Sequence, residues 1–214
     1  MKKKLEIMYN AYKIIKITDF SDAQYDSCFR HMTEKRRLAV ERIRSEADRK
    51  RTAAGEMLAR EMLSRRCGMN PSEITFARTE RGKPYAAGLP VHFSVSHSGE
   101  RILCAVCDSP VGADIERIRP VRESLIRRVC NDRAGGEYSY VCESGISDEE
   151  RLRRFFLVWT GKEAYVKYLG TGIASLRDAD VFSEKIRGGL TRFFRENYAV
   201  SIFSECPVPP EEIY

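Results

Sequence analysis

The hydrophobic and polar positions of this chain predict two long helices separated by short strands. From Lys35 to Arg66 the chain has no proline and carries apolar residues at helical spacing, and Gly68 follows as a stop. This pattern predicts one long helix. A second helix is predicted after the capping box Ser147-Asp-Glu-Glu150, where apolar residues recur every three or four positions up to Gly170. We also expect a short helix capped by Ser21.

Short apolar or alternating runs between turn residues predict the strands. These runs are Ala11–Ile17, Ile74–Thr79, Val91–Ser96, Ile102–Cys107, Val111–Glu116, Val181–Ile186 and Ala199–Phe203. Each half of the chain thus combines strands with one long helix, and the turn near Ser109 lies between the halves. We therefore predict an α+β fold with two halves, 1–109 and 110–214. The polar stretch from Asn131 to Ser147 contains three glycines and is predicted to be a long loop.

Composition indicates a folded, soluble protein. Of the 214 residues, 43% are hydrophobic and 32% are charged, which fits a packed interior under a charged surface. The longest apolar runs, such as Ile102–Cys107, are far shorter than the roughly 20 residues of a membrane helix. The basic start at Lys2–Lys4 is followed by polar interruptions that exclude a signal-peptide core. We expect no membrane association and a cytoplasmic protein.

Cysteine usage points to reduced thiols, because the seven cysteines are an odd number without regular spacing. Cys104-Ala-Val-Cys107 is typical of metal or redox sites, but it lies in an apolar run that predicts a strand. Side chains three apart on a strand face opposite ways, so both cysteines are interpreted as core residues. The formal charge of +6 favours polyanionic partners: nucleic acid, phosphorylated cofactors or acidic proteins.

Acidic residues recur at two places where they could act together. Asp114 and Glu116 share one face of their predicted strand, where two carboxylates repel unless a cation or protons lie between them. Oxygen ligands suit Mg²⁺, although a solvated strand face is the simpler alternative. Glu163 lies one helical turn beyond Trp159 and could join this site. The alternative is a surface ion pair with Lys167, worth about 0.3 to 0.5 kcal/mol.

A donor-rich turn offers a third candidate site. In the segment Phe93-Ser-Val-Ser-His97-Ser98-Gly99 a predicted strand ends in a small turn, which could bind phosphate through hydroxyl, imidazole and backbone N–H groups, unless the turn satisfies its own donors. Lys83 in a nearby turn, and Lys35 and Arg51 in the basic helix, add positive charge, which on a helix is usually just solvated.

Four motifs in order make a more specific pattern than any of them alone. They are Gly82-Lys83-Pro84, Phe93-Ser-Val-Ser-His-Ser-Gly99, Val111-Gly-Ala-Asp-Ile-Glu116 and Trp159-Thr-Gly-Lys-Glu-Ala-Tyr-Val-Lys167. This set resembles the 4'-phosphopantetheinyl transferases of the surfactin-synthetase-activating type, from the basic helix before Arg51-Thr52 to Gly172. The resemblance implies two similar α+β halves with coenzyme A in the cleft between them. It also implies Mg²⁺-dependent transfer, with Mn²⁺ as a possible substitute, of the phosphopantetheine arm to a serine of an acidic apo carrier protein, releasing 3',5'-ADP.

The resemblance also implies roles for individual residues. Asp114, Glu116 and Glu163 fall on the family's metal-binding acids, and Glu163 and Lys167 on its catalytic residues. The matches to coenzyme A contacts are Lys35, Arg51, Thr52, Gly82, Lys83, Pro84, Ser96 and His97, with His97 near the 3'-phosphate. Leu38 stands where the family has a second basic residue, and one residue is inserted before Arg51.

Two other functions use the same features. A metal-dependent nuclease or phosphoesterase would also need clustered acids and a lysine, but the chain lacks an acid followed two residues later by lysine after a matching strand aspartate. A nucleic-acid-binding module would use the basic helix, yet no recognised binding motif accompanies it. We therefore expect a monomeric transferase that binds no nucleic acid.

Overall fold

The computed structural model describes residues 8–131, 136–172, 176, 178–206 and 209–214. The helices are α1 (Asp22–His31), α2 (Glu34–Glu41), α3 (Glu46–Cys67), α4 (Glu123–Val129), α5 (Glu137–Val141), α6 (Asp148–Leu169) and α7 (Glu184–Arg187). The strands are β1 (Asn10–Lys16), β2 (Phe76–Arg78), β3 (Pro84–Ala86), β4 (His92–Ser98), β5 (Arg101–Cys107), β6 (Val111–Arg117), β7 (Leu190–Arg195), β8 (Tyr198–Ser204) and β9 (Glu211–Glu212). The predicted α+β class is confirmed.

The two long helices, α3 and α6, begin and end in the same way. The hydroxyls of Ser45 and Ser147 accept hydrogen bonds from the backbone N–H groups of Asp48 and Glu150, three residues later. At Ser147 this is the serine side-chain hydrogen bond of the predicted capping box. Gly68 and Gly170 end the helices in the left-handed conformation, both with φ of 67°. These predicted ends are confirmed.

The single helix predicted from Lys35 to Arg66 is wrong, because α2 and α3 are separate helices. Ser45 starts α3 with a new cap, and the side chain of Arg49 donates to the carbonyl of Ile43 in the connection. The connection therefore satisfies backbone groups that an unbroken helix would have bonded internally.

Two sheets repeat one strand order. The first has the order β4-β5-β1-β9 and the second β6-β8-β7. In each, a strand is followed by a long helix and then by a hairpin whose last strand, β5 or β8, lies in the middle. Each middle strand is antiparallel to both of its neighbours.

The sheets face each other, with α3 and α6 on their outer sides. Along β5, Cys104 belongs to the core beneath α3, whereas Cys107 belongs to the apolar layer between the sheets. Residues of β6 and β8, such as Ala113 and Val200, complete that layer. The prediction that the two cysteines face opposite ways is confirmed. The seven cysteines, all within the described residues, form no disulfide bonds.

The polar stretch from Asn131 to Ser147 is not a continuous loop, because α5 lies within it; its residues 132–135 fall outside the described chain. Glu137 is fully buried and pairs with the equally buried Lys162 of α6, with Nζ and Oε2 2.7 Å apart. The same carboxylate accepts from the backbone N–H groups of Asn131 and Val181. A buried carboxylate satisfied in this way fixes the segment on α6.

The strand predicted at Val181–Ile186 is also wrong. A turn at residues 180–183 leads into α7, and β7 follows at Leu190–Arg195. Ser183 caps this turn by donating to the carbonyl of Asp180. Among the described residues, no helix has the length and apolar character needed to cross a membrane.

Gly112 allows β6 and α6 to pack backbone against backbone. A Cβ atom at this position would lie 1.9 Å from the carbonyl oxygen of Ala164 and 2.4 Å from the backbone nitrogen of Tyr168. Gly112→Ala is therefore expected to lower the free energy of unfolding by about 3 kcal/mol or more, because backbone atoms of a packed helix cannot move aside. Chemical denaturation would measure the change.

Gly188→Ala is the matched control. Its φ is −66° and its nearest contact to an added Cβ is 3.4 Å, so the unfolding free energy should change by less than about 1 kcal/mol. An equally small change in Gly112→Ala would contradict this packing.

Candidate active site

A cleft of about 290 Å³ lies where β4 of the first sheet meets β6 and α6. Both halves of the chain line it, and six of the predicted site residues take part. The lining residues are Val95, Ser96, His97, Asp114, Glu116, Trp159, Glu163 and Lys167. The predicted carboxylates and the lysine thus meet Ser96 and His97 in one place. The turn predicted there is wrong for Ser96 to Ser98, because these residues continue strand β4.

Three serines at every second position of β4 join the two halves. Ser94 Oγ accepts from the backbone nitrogen of Ala113 at 2.9 Å. Ser98 Oγ donates to Glu116 Oε2 at 2.7 Å and accepts from the backbone nitrogen of Arg117 at 3.1 Å. The role of Ser94 and Ser98 was not predicted from the sequence, although their period-two spacing with Ser96 indicates that all three lie on one face of the strand.

Asp114 lies deep in the cleft, with 3% of its surface exposed. Its Oδ1 accepts from Ser96 Oγ and from Lys167 Nζ, both at 2.6 Å. Its Oδ2 is buried and has no hydrogen-bond partner in the described structure. The alternative of a solvated strand face is therefore wrong for Asp114.

Lys167 pairs across the cleft rather than along its own helix. Its ammonium group binds Asp114 Oδ1 and also donates to Ser96 Oγ at 2.9 Å. Within the described chain, Glu163 makes no ion pair or hydrogen bond, so the surface pair with Lys167 is not formed. The Glu163 carboxylate is left available to a ligand in the cleft.

The other two acids have raised pKa values. Burial is the largest cause for both Glu116 and Glu163, and the charge of Asp114 raises both further. The Ser98 hydrogen bond opposes this effect at Glu116, and Lys167 opposes it at Glu163. The three carboxylates therefore disfavour one another's charge, and added positive charge would relieve this repulsion.

His97, which lines the cleft, and Arg51, which lies near His97 but is not a lining residue, form a basic corner beside the cleft. Burial lowers the pKa of His97, and the charges of Arg51 and Lys167 lower it further. Arg51 is held in place by Asp48 Oδ1 at 2.5 Å and by the carbonyl oxygen of Gly99 at 3.1 Å. An anion bound here would favour the charged imidazole.

The remaining predicted coenzyme A contacts lie outside the cleft lining. Lys35 is exposed on α2, and Thr52 is half-buried on α3. Gly82 and Lys83 lie in the turn before β3, which Pro84 begins, and Lys83 donates to the carbonyl oxygens of Val111 and Tyr168. The structure thus does not bring these residues into the group around Asp114.

Comparisons with known proteins match both halves. Residues 19–109 match a family described as 4'-phosphopantetheinyl transferase, N-terminal, and residues 110–206 match the 4'-phosphopantetheinyl transferase superfamily. A 4'-phosphopantetheinyl transferase of Bacillus subtilis is 31% identical over 168 residues, which cover 78% of this chain and 72% of that protein. This chain belongs to the 4'-phosphopantetheinyl transferase superfamily.

Two further members of the superfamily show similar identity. The 4'-phosphopantetheinyl transferase Sfp of Bacillus subtilis strain 168 is 31% identical over 144 residues, covering 67% of this chain and 62% of Sfp. The 4'-phosphopantetheinyl transferase HetI of Nostoc is 36% identical over 140 residues, covering 62% of this chain and 57% of HetI. The alternatives of a nuclease and of a nucleic-acid-binding module are not supported by these matches.

The donor set of this superfamily member fits a hard divalent cation. Asp114 Oδ2 is a buried oxygen without a partner, and Glu163 offers a second unpaired carboxylate in the same cleft. Carboxylate oxygens suit Mg²⁺ and Mn²⁺. Among the described residues, no three acid, histidine or cysteine side chains are grouped closely enough to hold a metal by themselves. Mg²⁺ commonly takes one or two carboxylates and completes its shell with water and phosphate oxygens.

Proposed function

We propose that this enzyme transfers the 4'-phosphopantetheine arm of coenzyme A to a serine of an apo carrier protein and releases 3',5'-ADP. The observation that carries the proposal is the single cleft in which Asp114, Glu116, Glu163 and Lys167 of the second half face Ser96 and His97 of the first. Acids beside a basic corner are what a phosphoryl transfer from an anionic donor needs.

In this reaction the serine oxygen bonds to the β-phosphorus of coenzyme A, and the bond from that phosphorus to the bridging oxygen of 3',5'-ADP breaks. Glu163 accepts the serine proton, because its carboxylate lines the cleft and makes no ion pair or hydrogen bond in the described structure. Lys167 brings positive charge toward the leaving phosphate. No covalent intermediate on the enzyme is required.

The basic corner is assigned to the nucleotide end of coenzyme A. His97, Arg51 and Ser96 would bind its phosphates, and a phosphate beside His97 would offset the causes that lower the pKa of the imidazole. The further contacts implied by the resemblance, Lys35, Thr52 and residues 82–84, stay predictions.

Asp114, Glu116 and Glu163 would hold Mg²⁺ or Mn²⁺. When bound, the metal supplies positive charge that offsets the phosphate charge. Asp114 keeps Lys167 on its Oδ1, so its buried Oδ2 is the oxygen left for the cation.

The carrier is proposed to be acidic, because the chain has a formal charge of +6 and exposes Lys35 on α2 and Arg42 and Arg44 just after it. The division into halves 1–109 and 110–214, the monomeric state, the absence of nucleic-acid binding and the cytoplasmic location also stay predictions.

Release of 3',5'-ADP tests the function. Purified protein is incubated with coenzyme A, Mg²⁺ and an apo carrier, and the nucleotide product is separated by chromatography. We expect product only when all three are present, and none with a carrier whose acceptor serine is replaced by alanine. Product formed without any carrier would instead indicate hydrolysis of coenzyme A.

Thermal unfolding tests the shared site of metal and substrate. Mg²⁺ and coenzyme A together are expected to raise Tm more than the sum of their separate effects, because the pyrophosphate completes the metal shell. A ligand at about 100 times its Kd adds about 2.7 kcal/mol to the unfolding free energy. With 3',5'-ADP, which lacks the pyrophosphate, the effects should merely add. Additive effects with coenzyme A would contradict the shared site.

A further inference from the structure

Lys83 reaches from the first half of the chain to two elements of the second half. Its Nζ donates to the carbonyl oxygen of Tyr168 at 2.9 Å and to that of Val111 at 3.3 Å. Tyr168 lies in the last turn of α6, and Val111 begins β6. Lys83 is not among the residues that line the cleft.

The backbone of Lys83 is firmly held on the first half. Its carbonyl accepts from the backbone nitrogen of Thr79 at 2.9 Å, and its own N–H donates to Thr79 Oγ1 at 3.1 Å. Gly82 supplies the positive φ, 85°, that the turn needs. The side chain therefore extends from a fixed base.

The two acceptors belong to one packed unit. Because Gly112 brings the backbones of β6 and α6 into contact, these elements move together. β6 carries Asp114 and Glu116, and α6 carries Glu163 and Lys167. A shift of this unit relative to β4 would displace all four charged groups from Ser96 and His97.

The lysine is also suited to the end of a helix. The carbonyl of Tyr168 is one of the last four of α6 and has no partner within the helix. A cation there interacts favourably with the helix dipole. The lysine stem crosses the helix cap, since a Cβ at Gly170 would lie 3.2 Å from Lys83 Cδ. Burial lowers the pKa of Lys83, and the described residues offer it no carboxylate partner.

We propose that Lys83 is a positioning residue. By donating hydrogen bonds to α6 and β6, its ammonium group holds these two elements against the turn before β3, and so sets the distance between the charged groups of α6 and β6 and the residues of β4 across the cleft. Its charge then acts on the protein, in place of the coenzyme A contact that the resemblance implies for Lys83. The expected effect on kcat rests on the proposed function, whereas the stabilising effect of the two Lys83 hydrogen bonds can be measured by hydrogen exchange without any substrate.

The test compares Lys83→Met, which keeps most of the side-chain length but loses the donors, with Arg81→Met, which removes an exposed charge from the same turn. In Lys83→Met, amide hydrogen exchange in residues 166–172 of the ligand-free protein should speed up by about tenfold or more. Its kcat at saturating coenzyme A should fall by about 10- to 100-fold, with KM for coenzyme A changing less than threefold. Arg81→Met should match the wild type, and Lys83→Arg should recover most of kcat.

An unchanged rate of amide hydrogen exchange in residues 166–172 of Lys83→Met would overturn the proposal. An unchanged kcat with KM for coenzyme A raised tenfold would also overturn it, because Lys83 would then contact the ligand. If Lys83→Met does not fold, Lys83→Gln replaces it under the same criteria. A wild-type protein without transferase activity would contradict the proposed function, but the hydrogen-exchange experiment would still decide whether Lys83 holds α6 and β6 in place.

Discussion

Glu163→Gln is expected to lower kcat by about a hundredfold or more while the protein stays folded. Glutamine keeps the shape of the side chain but loses the charge that would hold a cation and the basicity that would accept the serine proton. The carboxylate has no hydrogen bond or ion pair in the described structure, so the substitution breaks no contact. Steady-state transfer kinetics and circular dichroism would measure both effects.

The direction of the pKa shift fixes the expected effect on stability. Burial and Asp114 raise the pKa of Glu163, which means that the fold disfavours its ionised form. This cost is absent below the pKa of the unfolded state, grows as pH rises from that pKa to the higher pKa of the folded state, and is constant above it. Glutamine does not ionise, so at neutral pH the variant should be as stable as the wild type or slightly more stable.

Glu149→Gln is the matched control, because Glu149 is exposed in the first turn of the same helix. It should leave kcat within about twofold of the wild type. A folded Glu163→Gln protein with near-native kcat at saturating Mg²⁺, coenzyme A and carrier would remove Glu163 from the mechanism.

Lys167→Ala should lower both kcat and stability. The cation is removed from Asp114 Oδ1, and a carboxylate with 3% exposure is left without a charge partner. Breaking a fully buried pair typically costs about 3 to 5 kcal/mol, but the Lys167 side chain is 30% exposed, so we expect about 2 kcal/mol. The value of kcat should fall by about a hundredfold, while affinity for coenzyme A changes little.

Lys185→Ala removes an exposed lysine from α7 and serves as the control, with stability and kcat close to the wild type. A Lys167→Ala variant that loses coenzyme A affinity at unchanged kcat would show that the lysine binds the substrate's ground state. Unchanged stability would argue against its ion pair with Asp114.

Local patterns predicted the features that depend on neighbours in the chain. Period two placed Asp114 and Glu116 on one strand face, and helical spacing placed Trp159, Glu163 and Lys167 on one side of α6. The glycine end of that helix followed from Gly170 in the same way.

Features that depend on packing between distant segments could not be predicted in this way. Lys167 pairs with Asp114 because Gly112 brings β6 against α6, a contact that no local spacing indicates. The buried pair of Glu137 and Lys162 likewise gives α5 its place in a stretch that resembles a loop by composition. The missed strand β7 joins the sheet through β8, which only the tertiary structure pairs with it.

Transfer of phosphopantetheine is tested most directly by the intact mass of apo carrier proteins after incubation with this enzyme, coenzyme A and Mg²⁺. Carriers of fatty-acid, polyketide and nonribosomal-peptide type are measured in parallel, with the wild type and with Glu163→Gln. We expect the wild type to add one phosphopantetheine mass to at least one carrier, and we expect the gain to be suppressed when Mg²⁺ is omitted or when Glu163→Gln replaces the wild type. No mass gain on any carrier would rule out the proposed transfer, and an equal gain with Glu163→Gln would rule out the proposed role of Glu163.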